Sequence, residues 1–173
     1  MCAEYADNQD FRLRHLMLNK AAQNSAQPPV TVTGTATLAF KPGASLTTSN
    51  ITVNAGAALK VAQSGVVALG CDLSLAADAI LAFNFTERTE RPVLDVEGKT
   101  VTASGTIKVA VSGKWPKVTG AVKTVTLTSG GKFTGKTVEL VTEGKPTWAK
   151  SVAIENGEIV LTVKPMAIMV IVK

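Results

Sequence analysis

The chain has 173 residues, of which 46% are hydrophobic, 18% charged and 5% aromatic. This composition fits one globular domain and excludes collagen, coiled coils and a fully disordered chain. Its net charge of +5 is spread over dispersed basic residues, mostly Lys, with few aromatic rings nearby, which argues against nucleic-acid binding.

The first 26 residues differ from the rest. Asp10 is placed to cap a short helix, and Pro28 and Pro29 forbid its continuation. The apolar residues of this helix would be Phe11, Leu13, Leu16, Met17 and Ala21. We expect residues 1–26 to form a leader that is a short helix or disordered. No secretory signal peptide is predicted, because no apolar run with a small-residue cleavage site follows a basic start.

From about Val30, short runs of Thr, Val, Ala and Leu are broken by Gly, Asn or Asp, a pattern typical of β-strands and turns. A nine-residue pattern recurs, with apolar residues at offsets 0, 2 and 8 and a turn residue at offset 5. Its copies begin at Leu38, Ile51 and Leu73, with turn residues Gly43, Gly56 and Asp78, and weaker copies begin at Val125 and Val152. Repeated strand–turn–strand units are typical of a β-solenoid. Periodicity alone leaves consecutive hairpins of a β-sandwich open.

Charge divides the β region near residue 86. Residues 27–86 contain only Lys41, Lys60, Asp72 and Asp78 as charged groups, and we assign them to the repeat coils. Residues 87–173 are richer in charge and less regular. There, Glu87 to Arg91 predicts an exposed loop, Val93 to Val101 predicts a hairpin around Glu97-Gly98-Lys99, and Gly105 to Val111 predicts a strand.

The clearest turn lies near the C-terminus. Asn156-Gly157 favours positive φ at both positions, which predicts a two-residue type I′ turn between antiparallel strands. This turn sets Ile154 opposite Ile159 and Val152 opposite Leu161, with all four on one face. The sequence therefore predicts an antiparallel C-terminal cap. The longest apolar run, Met166 to Val172, is far shorter than the ~20 residues of a membrane helix, so no membrane-spanning segment is expected.

Few residues are suited to catalysis. His15 is the only histidine, and Cys2 and Cys71 are the only cysteines, so nucleophilic triads and His- or Cys-based metal sites are not predicted. We expect no cofactor and no metal. One enzymatic alternative remains, a polysaccharide-degrading β-helix, because such enzymes work with carboxylates and basic groups alone. Its candidate residues are Asp72, Asp78, Glu87 and Arg88.

Both tryptophans, Trp115 and Trp148, stand near proline and lysine. An exposed Trp can stack on a sugar ring, whereas a buried one covers the end of a core. A carbohydrate-binding module that uses Trp115 or Trp148 is therefore a second alternative.

Several segments resemble a known family: the Gly-Ala-x-Leu turns, Ile80 to Phe85, Gly105 to Val109, and Trp148 to Pro165. Over about residues 31–173 the chain resembles the final passenger segment of bacterial proteins with autotransporter-associated β-strand repeats. The resemblance implies a right-handed parallel β-helix with a C-terminal cap, secreted or displayed at the cell surface as part of a longer chain. It further implies an adhesin or structural role, with glycans or host and cell-surface proteins as partners, and it supplies no catalytic residue.

The sequence thus predicts an all-β chain with a short N-terminal helix, repeat coils at 27–86, and a less regular β region with a cap at 87–173. The preferred function is a non-catalytic extracellular or cell-surface structural module, the end piece of a larger passenger protein. Its structural turns would be Gly43, Gly56, Asp78, Asn156 and Gly157.

Overall fold

A computed structural model describes residues 16–17, 28–44, 46, 48–116 and 123–164. These residues contain β-strands and no helix, so the all-β prediction is confirmed. In chain order the strands are β1 (Leu16–Met17), β2 (Val30–Val32), β3 (Thr37–Phe40), β4 (Asn50–Val53), β5 (Ala58–Val61), β6 (Gly65–Ala68), β7 (Asp72–Leu75), β8 (Ile80–Phe85), β9 (Pro92–Asp95), β10 (Val101–Ala103), β11 (Thr106–Gly113), β12 (Thr124–Thr126), β13 (Thr128–Ser129), β14 (Thr137–Leu140), β15 (Ala149–Glu155) and β16 (Glu158–Val163).

The strands form four sheets, three of which are parallel throughout. Sheet A has the order β1-β3-β5-β8-β11-β14, sheet B the order β10-β7-β4-β2, and sheet C the order β13-β9-β6. Sheet D, with the order β12-β16-β15, is antiparallel. From β4 onward the chain runs through sheets B, A and C in turn, first as β4, β5 and β6 and then as β7, β8 and β9. We call one such sequence of strands a pass.

Neighbouring passes stack in register, which builds the core. In sheet A, Leu38 pairs with Leu59, Leu59 with Leu81, and Leu81 with Val109, and all four are buried. Alternate side chains of a strand point to opposite faces, so these residues form one inner column of the hydrophobic core. Strands that follow each other in the chain do not pair in sheets A, B and C, unlike the consecutive hairpins of the β-sandwich alternative.

The predicted turn residues have the expected backbone. The φ angle is 77° at Gly43, 75° at Gly56 and 61° at Asp78, so Asp78 takes the same positive-φ position that glycine holds in the other copies. The copies of the nine-residue pattern do not all begin in the same sheet, however. The copy at Leu38 begins in sheet A, whereas those at Ile51 and Leu73 begin in sheet B. The same local turn is used at two different corners because its requirements concern only a few adjacent residues.

Two predictions are wrong. The helix expected to include Leu16 and Met17 is replaced there by strand β1, which pairs in parallel with β3; the other residues of the expected helix lie outside the described residues. An isolated short helix is marginally stable, whereas the edge of β3 offers hydrogen-bond partners. The expected hairpin around Gly98 is also absent, because β9 belongs to sheet C and β10 to sheet B. Its turn does form, since the Lys99 N–H donates to the Val96 carbonyl at 3.1 Å.

Other local predictions agree with the structure. Residues 87–91 are exposed, as expected for a loop between sheets A and C. Strand β11 buries Ile107, Val109 and Val111 along one side, as the alternation of apolar residues predicts.

Candidate functional site

The C-terminal end of the parallel stack is covered by the hairpin of β15 and β16, which we call the cap hairpin. Ile154 pairs with Ile159 and Val152 with Leu161, as predicted from the turn. Asn156 has φ 51° and Gly157 has φ 77°, the two positive values that a type I′ turn requires. Strand β12 adds to the other side of β16 and completes sheet D.

Three hydrogen bonds attach the cap hairpin to the segment that ends sheet C. The Leu127 N–H donates to the Ile159 carbonyl, the Phe133 N–H donates to the Gly157 carbonyl, and the Ile159 N–H donates to Thr128 Oγ1, each at 2.8 Å. The Thr128 side chain is 0% exposed, so its hydroxyl supplies an acceptor where no water is available. Together these bonds satisfy backbone groups of the cap hairpin and of the residues on either side of β13.

Gly157 is the tightest point of this junction. A Cβ at this position would lie 2.5 Å from the Gly131 carbonyl oxygen and 2.7 Å from Thr134 Oγ1. Only glycine allows both the positive φ and this approach of two backbone segments. The turn therefore does more than close the hairpin, since it also fits the hairpin onto the loop at 131–134.

Trp148 lies inside the cap. It is 5% exposed and meets the Phe85 ring edge-on, with the centroids 5.2 Å apart and the planes at 80°. Both faces of the ring are therefore unavailable for stacking on a sugar, and glycan binding by Trp148 is not supported. The alternative interpretation, a Trp that covers the end of the core, describes its position.

Trp115 lies at the corner that follows β11 and is half-buried against the core. Its carbonyl accepts a hydrogen bond from Arg88 Nε at 3.3 Å, which holds the loop after β8 against the end of β11. Its indole Nε1 is buried and has no hydrogen-bond partner within the part of the chain that the structure describes. Glycan binding at Trp115 stays a prediction.

The candidate catalytic carboxylates lie on different elements, each with its own partner. Asp72 opens β7, and its Oδ1 accepts the Thr100 N–H at 2.9 Å. Asp78 lies in the turn before β8, 3.6 Å from Lys108 Nζ. Glu87 lies beyond β8, 3.5 Å from Lys114 Nζ. Asp72, Asp78 and Glu87 thus lie on separate elements with separate partners.

Two titratable groups in the described part of the chain have shifted pKa values. Lys108 also bonds Glu139 Oε2 at 2.5 Å, and this hydrogen bond, followed by the charges of Glu139 and Asp78, raises the pKa of Lys108 against the opposing effect of desolvation. Burial raises the pKa of the Cys71 thiol, with a smaller opposing effect from Lys99. Cys71 is a free, buried thiol, so it packs as a small apolar residue. Among the described residues, no group of three or more His, Cys, Asp or Glu is placed to hold a metal ion.

The sequence interpretation missed Thr128 and Phe133, which link the last turn of the stack to the cap hairpin. Thr128 is one of many threonines in the chain, and its burial depends on a partner strand about thirty residues later. No local signal distinguishes it. Phe133 lies at offset 8 of the weak repeat copy that begins at Val125; it is fully buried, and its N–H donates to the Gly157 carbonyl.

Comparison with protein-family models, with curated proteins and with solved structures finds no match to this chain. Within the described residues, no helix has the length and apolar character needed to cross a membrane.

Proposed function

We propose that the chain is a non-catalytic structural module, a β-solenoid whose C-terminal end is closed by the cap hairpin. The observation that carries this proposal is the attachment of the antiparallel cap hairpin to the segment that ends sheet C, through the bonds at Leu127, Thr128 and Phe133. A stack of parallel strands exposes an adhesive edge at its end, and the cap hairpin covers that edge.

The solenoid part of the proposal is supported by the order in which the chain visits the sheets. The passes β4–β5–β6 and β7–β8–β9 repeat one path, and corresponding residues pair in parallel, with Ile51 facing Leu73 and Leu59 facing Leu81. In a solenoid each coil contacts only its neighbours, so stability grows with the number of coils. The right-handed sense of winding rests on the family resemblance.

The non-catalytic part is supported by what the candidate residues do. Trp148 fills the core, Asp78 forms a turn, and Asp72 and Glu87 have separate structural partners. Each side chain singled out for chemistry therefore has a role in holding strands or corners together.

The location that we propose is the cell surface or the extracellular space, with the chain as the end piece of a longer passenger. This follows from the resemblance and from the architecture it implies, because a stalk or adhesin is built by adding coils to such a stack. Glycans or cell-surface proteins are the partners to test.

The test compares ligand binding with self-association. The full chain and its Trp115→Ala variant are applied to a glycan array and to insoluble polysaccharides, and digestion products are analysed. We expect neither binding nor depolymerisation. In parallel, Gly157→Val, which disrupts the cap junction, should make the protein associate at concentrations where Gly98→Val does not. Gly98 is the matched control because its φ is 69° and nothing lies within 4 Å of its Cβ position.

Glycan binding that Trp115→Ala abolishes would replace the proposal with a carbohydrate-binding module. Depolymerisation that Arg88→Ala stops would replace it with an enzyme. Equal association of the two glycine variants would show that the cap hairpin does not protect the end of the stack.

A further inference from the structure

The N-terminal segment continues the periodicity of sheet A. Leu16 in β1 pairs with Leu38, Leu38 with Leu59, and Leu59 with Leu81. The separations along the chain are 22, 21 and 22 residues by these numbers, so β1 lies one regular period before β3. A leader that joined the edge by chance would have no reason to keep this spacing.

The amino-acid pattern follows the same period. The sequence His15-Leu16-Met17-Leu18 aligns with Thr37–Phe40, Ala58–Val61 and Ile80–Phe83, and each of the four has leucine at its second position and a large apolar residue at its fourth. In the three later segments these two positions are both buried, at 3% exposure or less. The register of β1 on β3 therefore agrees with the repeat rather than with its alternative, a shift by one residue.

Burial in β3 agrees with a covered edge. Leu38 is 1% and Phe40 3% exposed, against 1% for Leu59 and 2% for Val61 in the next strand of sheet A. The first strand of an open stack would expose its inner residues at the free end. Here, β3 is as well buried as a strand with neighbours on both sides.

We propose that β1 is an additional rung of the parallel stack in sheet A, and that it keeps the β3 edge closed against a second copy of the chain. Within the described residues, β1 pairs with β3 through Leu16 with Leu38 and Met17 with Ala39. When β1 separates from β3, the edge of β3 becomes free. A second copy fits this edge because it offers strands with the same Leu-x-apolar pattern in the same parallel register. Exchange of identical elements between copies is a low-cost route to a dimer. This inference rests on the pairing of β1 and does not depend on the proposed function.

The experiment compares Leu16→Thr with Met17→Thr in the full chain. Threonine keeps the tendency to form a strand, and the two neighbouring sites differ in which side of the sheet they belong to. Backbone amide exchange is followed at β3 and, as an internal reference, at β8 and β11. Sedimentation at several protein concentrations measures association.

We expect Leu16→Thr to increase amide exchange at β3 about tenfold or more, because the position that pairs with buried Leu38 loses its apolar residue, and to raise the average mass with concentration. Met17→Thr should leave both readouts within about twofold of the unchanged chain. Global unfolding of Leu16→Thr alone would support the same assignment, since a detached leader cannot unfold the stack. Unchanged exchange in Leu16→Thr, or equal effects of the two substitutions, would overturn it. Faster exchange without any concentration-dependent mass would overturn the role in self-association.

Discussion

Replacing Gly157 with alanine tests whether the cap hairpin is fitted to the stack or merely lies beside it. The substitution adds one methyl group at a position with φ 77°. The added Cβ would come within 2.5 Å of the Gly131 carbonyl oxygen and 2.7 Å of Thr134 Oγ1. Because the first of these atoms belongs to the backbone, relief requires the turn or the loop at 131–134 to move.

Two contributions set the expected loss of stability. A left-handed backbone costs an alanine about 1–2 kcal/mol relative to glycine. Moving the turn also strains the Phe133 N–H to Gly157 carbonyl bond and the neighbouring Ile159 N–H to Thr128 bond, and a lost hydrogen bond costs about 1 kcal/mol. Gly157→Ala should therefore lower the free energy of unfolding by about 3 kcal/mol.

Gly98→Ala separates the two contributions. Gly98 has φ 69° and no atom within 4 Å of its Cβ position, so this variant carries the backbone cost without the displacement. Its expected loss is about 1 kcal/mol. Both variants share the entropy that alanine removes from the unfolded chain, and this effect cancels in the comparison.

Urea denaturation followed by circular dichroism measures the difference. At a slope of about 2 kcal/mol/M, the 2 kcal/mol that separates the variants corresponds to a midpoint about 1 M lower for Gly157→Ala than for Gly98→Ala. Equal midpoints would refute the reasoning, because the contacts at Gly131 and Thr134 would then contribute nothing to stability.

Further variants examine other parts of the structure, each by the same urea titration. Trp148→Ala should cost about 3–5 kcal/mol because a large buried side chain is lost, and a loss below about 1 kcal/mol would contradict its place in the core. Thr128→Val should lower the free energy of unfolding by about 1–3 kcal/mol because it leaves the Ile159 N–H without an acceptor. Thr128→Ser keeps the hydroxyl and should stay within about 0.5 kcal/mol of the unchanged chain. Asp78→Gly should leave the free energy of unfolding nearly unchanged, and Asp78→Val should lower it by about 1–2 kcal/mol, since only valine resists positive φ. Equal effects would contradict the requirement for positive φ at this turn. Burial raises the pKa of the Cys71 thiol, so the unfolded chain loses this proton first and stability should fall as pH rises above about 8.5. Stability measured at about pH 7 and about pH 10 should therefore differ less in Cys71→Ala than in the unchanged chain.

Turns and alternation were readable from the sequence because their causes are local. Asn156-Gly157 forms the predicted turn, and Asp78 takes the glycine position, since positive φ depends on side-chain sterics within one residue. Strand β11 buries the side that its alternating residues indicate, because the period of two is a property of the extended backbone.

The partners of the strands were decided by the tertiary structure. Gly98 forms its turn as expected, yet the strands on either side join different sheets, with β9 beside β6 and β10 beside β7. A turn sets the direction of the chain over four residues, whereas these pairings join residues more than twenty positions apart. Nothing near Gly98 in the sequence indicates which distant edge is free.

The functional site shows the same division. The cap hairpin could be predicted with its register, but its attachment to Thr128 could not. The sequence around Trp148 favours a ring that covers the end of the core, but it does not indicate which residue the ring meets. Its burial depends on Phe85, sixty-three positions earlier by these numbers. Strands and particular turns could be predicted because neighbouring residues set strand and turn conformations. Strand partners and the residues that close the end could not be predicted, because those contacts form only when distant segments of the chain meet.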